Sequence, residues 1–197
     1  MHNRSYYVVN TITCYRLIAA PVLILLIVYH RTELFKWLLA VSFLTDAFDG
    51  YLARRYEVTS IFGSRLDSLA DDFTIIAAII GLFTLKQEFV QEQIVILSLL
   101  FGLFLVQTIS AIIRYGKISS FHTYAAKTAA ILQAVFLILL FFFPDPPYTL
   151  FYITAIISFI DLLEEIILVL LLPEWQTNIK GLYWIIKKSD HGRTGKE

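Results

Sequence analysis

Six apolar runs constrain this chain more than any other feature. They cover about 12–29, 34–51, 69–85, 94–115, 125–143 and 148–172, and short polar links separate them. Each is long enough to cross a bilayer as a helix if some tilt is allowed. None alternates polar and apolar residues as a barrel strand would, so helices are the only spanning structure that fits. The composition agrees: 58% of the 197 residues are hydrophobic, and only 16% are charged. A soluble domain carries about a quarter charged residues. The expected fold is therefore an all-α integral membrane protein with six transmembrane helices. Residues 1–172 would form one transmembrane domain and 173–197 a cytoplasmic amphipathic tail.

Charge placement gives the expected orientation. Thirteen of the sixteen Lys and Arg residues fall on the side that carries the N-terminus, the links after the second and fourth runs, and the tail. Only Arg31, Lys36 and Lys86 fall on the other. The positive-inside rule puts the N- and C-termini in the cytoplasm. The first run lacks a small-residue cleavage site, and no cleavable signal is expected. Formal net charge is zero, which gives no reason to expect a nucleic-acid partner. The single Cys14 rules out an internal disulfide and a thiolate metal cluster. In the tail, Ile179, Leu182, Tyr183, Ile185 and Ile186 alternate with Lys180, Lys187 and Lys188, a pattern suited to anionic headgroups.

Against this apolar background, four carboxylates are costly. An Asp at the centre of a spanning helix costs about 2.5–3.5 kcal/mol on insertion scales, and less near its end. Asp46 and Asp49 stand at i and i+3 near the end of the second run, and share a helix face with Gly50 and Ala53. Asp67 and Asp71 stand at i and i+4 at the start of the third, continued by Thr74 and Ala78. One polar connector, 52–68, joins the two pairs, so the four acids are expected to converge near the cytoplasmic interface. Carboxylates without Cys or His between them are hard oxygen ligands, suited to Mg²⁺, Mn²⁺ or Ca²⁺ rather than Zn²⁺. The small residues leave room for a ligand to approach the backbone, or serve only to pack helices.

The stretch DAFDGYLARRYEVTSIFGSRLDSLAD matches, without a gap, the pattern D-x2-D-G-x2-A-R-x8-G-x3-D-x3-D. The fixed positions are Asp46, Asp49, Gly50, Ala53, Arg54, Gly63, Asp67 and Asp71. This resembles the signature of the CDP-alcohol phosphotransferase family, and the layout of six spans with the motif across the second and third extends the likeness to the whole chain. Asn10, Thr13, Arg16 and Pro21 resemble the family's first-helix pattern. The resemblance implies a phosphatidyltransferase that acts on a CDP-linked lipid, with CMP as leaving group. It further implies a two-metal site (Mg²⁺ or Mn²⁺) on Asp46, Asp49, Asp67 and Asp71, with Asp71 as general base. The nucleotide would lie against Asp49, Gly50, Ala53, Arg54 and Gly63. CDP-diacylglycerol and a polar alcohol would be the substrates and a homodimer the assembly, in a bacterial inner membrane with the active site facing the cytoplasm.

The acceptor alcohol is less defined. Gln107, Ser110 and Arg114 share a face of the fourth run, and with Lys117, His122 and Lys127 they form a basic rim. Arg114 and Lys127 are the candidate ligands for an acceptor phosphate, which favours glycerol 3-phosphate. The stretch HTYAAKTAAILQ resembles a GKxKTxxQ element of glycerophosphate-using members, with Ala125 in place of its first Lys. Asp72 follows Asp71 where those members often carry Lys, and LDSLAD resembles serine-using members, so inositol phosphate, inositol and serine stay open. Two other classes use intramembrane acids: Mg-dependent prenyltransferases and divalent-cation transporters. The first are larger, and the second place acids near the midplane between inverted repeats. Asp161, Glu164 and Glu165 in the sixth run are expected to pair with basic residues of the fourth or fifth helix, or to lie close to the inner interface.

Overall fold

The computed structural model describes residues 4–56, 61–117, 121, 123–176, 179–185 and 187, with side chains from Tyr15 onward except at 47 and 49–68. Among these residues the chain is all helical. The elements are α1 (Arg4–Val28), α2 (Thr32–Tyr56), α3 (Ile61–Leu85), α4 (Gln87–Glu92), α5 (Ile94–Tyr115), α6 (Tyr124–Phe142) and α7 (Tyr148–Leu171). The six long helices correspond to the six apolar runs. α2 runs on to Tyr56 and α3 begins at Ile61, so most of the expected polar connector 52–68 is helical. The expected turn before the fourth run carries the short helix α4, because Phe89 and Val90 are buried there.

The chain forms two compact units. One holds Met1–Glu92 and Leu140–Pro144, the other Gln93–Leu139 and Asp145–Glu197. In the first, α1 packs on α2 and α3. The contact is built from small residues: Ala19 and Ala20 of α1, Ala40 of α2, and Ala70, Ala77 and Ala78 of α3 are all buried. Small side chains let helix backbones approach closely, which is how helices associate where no hydrophobic drive separates protein from solvent. A Cβ on Gly81 would lie 2.5 Å from the Phe35 ring, so only glycine fits against that buried side chain. Phe35 in turn meets Phe141 edge-on at 5.0 Å. Two buried hydroxyls of this unit bond within their own helices: Ser42 donates to the Leu38 carbonyl and Thr74 to the Ala70 carbonyl, both at 2.8 Å.

α1 ends in a Schellman turn. His30 takes the left-handed conformation (φ 53°), and the Arg31 and His30 amides donate to the Leu26 and Ile27 carbonyls at 2.8 and 3.0 Å. In the second unit, α5 packs on α7. α5 ends at Gly116 (φ 66°), whose amide donates to Ile112 O at 2.8 Å. The Tyr115 hydroxyl is 2.9 Å from the Leu172 carbonyl, which ties the end of α5 to the end of α7.

Large apolar side chains cover much of the described surface, while several polar ones are buried. Along α5 the buried residues are Gln107 and Ala111, while Val95 and Ile113 are 77% and 81% exposed. Along α7, Thr154 and Ser158 are buried while Ile156, Ile160 and Leu170 face outward. Such a surface is stable only in lipid, where apolar side chains are solvated and polar ones must find partners within the protein. α5 and α6 are each long and apolar enough to cross a membrane, and Tyr15–Val28 is a shorter apolar stretch. The chain is a membrane protein.

Candidate functional site

The site is built around Arg16, which the sequence marked only as part of a first-helix pattern and to which it gave no role in the site. Arg16 lies on α1, on the face that also carries Ala19, Ala20 and Leu23, and it is 1% exposed. A guanidinium keeps its proton in proteins, so a buried one needs anions. Arg16 finds them on two different helices. Its Nη1 donates to Asp46 Oδ1 of α2 at 2.7 Å, and its Nη2 donates to Asp71 Oδ1 of α3. The structure thus joins the ends of the sequence motif through its first and last carboxylates.

The exposures of the three partners differ in an informative way. The Arg16 side chain is sealed, whereas the side chains of Asp46 and Asp71 are 41% and 37% exposed. The cation acts as a fixed post inside the bundle, and the two carboxylates stay partly exposed. Two carboxylates this near one another repel unless positive charge lies between them. Thr74 and Ala78, which continue the Asp71 face, are buried at 1% and 0%. Tight packing of that face sets the position of Asp71.

Asp49, Gly50, Ala53 and Arg54 lie on α2, and Gly63 and Asp67 on α3, but their side chains lie outside the described residues. Among the described residues, no three His, Cys, Asp or Glu side chains are grouped as a metal ion requires. The two carboxylates that are described offer oxygen donors only, the type that suits a hard divalent cation. The signal for Arg16 was present in the sequence as the one cation inside the first apolar run; what was missing was the knowledge that α1 packs against both acidic helices.

The candidate acceptor residues belong to the second unit. Arg114 is exposed, and its Nε donates to the Leu172 carbonyl at 3.0 Å, which leaves the rest of the guanidinium outward. Lys127 is exposed at the start of α6, with Nζ 5.8 Å from the Tyr124 ring centroid. Their companions on the expected rim are not available in the same way. Gln107 is buried and its Nε2 donates to Glu165 Oε2 at 2.7 Å, while the Ser110 hydroxyl donates to the Val106 carbonyl at 2.6 Å. His122 lies outside the described residues. Thr128 donates to its own helix at Tyr124 O (2.8 Å), and Gln133 Nε2 donates to Ser158 Oγ on α7 (2.8 Å).

Two of the three acids of the sixth run have described neutral partners within the second unit. Glu165 accepts from Gln107, and Glu164 Oε1 accepts from the Leu182 amide at 2.8 Å. Both contacts give a carboxylate a hydrogen-bond donor in a poorly solvated place.

Comparison with known proteins places this geometry in a family. The chain is 38% identical over 128 residues to the Rickettsia bellii CDP-diacylglycerol–glycerol-3-phosphate 3-phosphatidyltransferase, a stretch covering 63% of this chain and 68% of that protein. It is 32% identical over 127 residues to the protein of the same name from Rickettsia typhi, covering 63% of this chain and 70% of the relative. No solved structure matches the chain. The CDP-alcohol phosphatidyltransferase family model matches residues 6–171, which takes in nearly all of α1, both acidic helices and all of α7. The chain therefore belongs to the CDP-alcohol phosphatidyltransferase family, and is a transferase of phospholipid biosynthesis.

Proposed function

We propose that this protein transfers the phosphatidyl group of CDP-diacylglycerol to glycerol 3-phosphate and releases CMP. The observation that carries the reading is the meeting of Asp46 and Asp71, from two helices, at one buried cation. The names of the Rickettsia relatives supply the substrates.

In this reading a hydroxyl oxygen of the acceptor forms a bond to the phosphorus that carries diacylglycerol. The bond from that phosphorus to the CMP oxygen breaks, and CMP leaves with the electron pair. Asp71 takes the hydroxyl proton, a role that requires a carboxylate within hydrogen-bond reach of the nucleophile. Its partial exposure leaves it within reach of a nucleophile, and its tie to Arg16 fixes its position. Asp46, Asp49, Asp67 and Asp71 would hold Mg²⁺ or Mn²⁺, which when bound would neutralise charge on the entering and leaving oxygens. Asp49, Gly50, Ala53, Arg54 and Gly63 would receive the cytidine nucleotide. Arg114 and Lys127 would bind the acceptor phosphate, Arg114 by its outward N–H groups and Lys127 as a point charge.

The fuller architecture belongs to the same proposal: six spans, both termini and the active site on the cytoplasmic side of a bacterial inner membrane, and a homodimer. The charge distribution and the six long helices support it.

The test is CMP release from CDP-diacylglycerol by the purified protein in detergent, with glycerol 3-phosphate, inositol phosphate, inositol and serine as acceptors. Release that depends on glycerol 3-phosphate and on Mg²⁺ or Mn²⁺ supports the proposal. A loss of about 10²–10⁴-fold in Asp71→Asn agrees with a general base. Release with serine alone overturns the acceptor, and no cytidine diphosphate cleavage with any ion overturns the reaction.

A further inference from the structure

The residues after α7 do not form one long amphipathic helix on the membrane. Trp175 and Gln176 and residues 179–181 are non-helical, and the helix begins only at Leu182. This segment is clipped onto the second unit at three points. The Ile179 amide donates to Phe121 O at 2.8 Å, the Tyr124 amide to Lys180 O at 3.3 Å, and the Leu182 amide to Glu164 Oε1 at 2.8 Å. Ile179 is buried in a cluster with Ala111, Phe121, Leu168, Val169 and Leu172. At Gly181 (φ 149°) a Cβ would sit 3.0 Å from the Glu164 carboxylate, so the clip is close-fitting. Glu164 thus acquires a purpose: it anchors the tail.

The outer side of this clipped segment has a distinct composition. Lys117, Lys180 and Lys187 are exposed on it. Interleaved with them are exposed aromatics, Tyr124, Trp175, Tyr183 and Trp184. The rings are organised: Tyr124 and Trp184 lie 5.5 Å apart, and Lys117 Nζ stands 4.9 Å from the Trp175 ring. Of the nearby acids, Glu164 is engaged with the clip, and Glu174 is exposed. Lys117 lies just beyond the end of α5, where Ile112 and Ile113 are exposed.

We propose that this surface docks the phosphates of anionic membrane lipids. Aromatic rings with a polar edge settle at headgroup depth, and lysines beside them attract acidic lipid. A free anion would use the lysines but has no call on four exposed rings. The exposed apolar residues at the end of α5, just before Lys117, favour a ligand that is part of the bilayer. Because the clip fixes the backbone, little ordering opposes binding. Arg114 and Lys127, assigned above to the acceptor, are not needed for it.

The experiment uses the full chain with Trp37→Phe, so that Trp175 and Trp184 report alone. The protein is placed without substrate in nanodiscs of phosphatidylcholine with a minor fraction of phosphatidylglycerol. Bromine is carried on the acyl chains of one lipid or the other, at matched bromine content. The expected result is stronger quenching by brominated phosphatidylglycerol, with an enrichment of about fivefold for each lysine engaged, the ratio equivalent to about 1 kcal/mol. The preference should fall as salt rises, and it should vanish in Lys117→Gln/Lys180→Gln/Lys187→Gln. Equal quenching by the two lipids, a preference that ignores salt, or one that survives the triple substitution overturns the proposal. The measurement needs no turnover, so its failure leaves the transferase reading intact, and failure of that reading leaves this one standing.

Discussion

Taking both carboxylates away from Arg16 should cost more than the two single removals together. In Asp46→Asn or Asp71→Asn alone, the guanidinium keeps one of these two anions, and the new amide oxygen still accepts a hydrogen bond. A hydrogen bond to a charged group contributes about 1.5–3 kcal/mol. With the two acid side chains 41% and 37% exposed, water screens part of that, and about 1 kcal/mol per single substitution is expected. The double substitution strips both carboxylates from a side chain that is 1% exposed. Breaking a buried pair in this way costs about 3–5 kcal/mol, because the remaining charge is poorly solvated. Adding Arg16→Met to the double variant removes that charge and should return most of the loss. The assay is equilibrium unfolding from mild detergent by a denaturing one, followed by helicity in metal-free buffer. Additive losses, near 2 kcal/mol for the pair of about 1 kcal/mol effects, with no recovery in the triple variant, would refute the idea that Arg16 is held jointly by α2 and α3.

Other outcomes follow from the same structure. Gly81→Ala should destabilise by about 1–3 kcal/mol, since its Cβ would meet the Phe35 ring at 2.5 Å; Gly102→Ala, with nothing within 4 Å of the added Cβ, should be neutral or mildly stabilising in the same unfolding assay. Arg114→Ala and Lys127→Ala should raise KM for glycerol 3-phosphate by about tenfold or more each, as expected for lost charge-assisted contacts, with KM for CDP-diacylglycerol unchanged. Chelation with EDTA should abolish CMP release, and Mg²⁺ or Mn²⁺ should restore it, whereas helicity stays constant because Arg16 keeps the acids of α2 and α3 together without metal.

The membrane class and the helical fold could be read from hydropathy alone, since an apolar run of span length admits few alternatives. The boundaries could not. α2 carries its helix through Arg54 and Arg55 to Tyr56, although this stretch is polar, because local propensity there favours helix once the preceding turns exist. α4 was hidden in a polar link because only two of its residues, Phe89 and Val90, turn inward. The acids of α7 were legible as anomalies, but the neutral identity of their partners was not. Gln107 and the Leu182 amide come from 58 and 18 residues away, a separation that no local pattern reports.

The spacing of Asp46, Asp49, Asp67 and Asp71, with its glycines, already carried the resemblance to the family to which this chain belongs, because a signature of fixed intervals can be read without any knowledge of packing. Tertiary packing alone decided what holds those carboxylates. Arg16 is 30 residues from one partner and 55 from the other, and only the closeness of α1 to both helices brings its charge between them. A buried cation is stable in lipid just where anions meet it, and where they meet is a property of helices in contact, not of the order of residues along the chain.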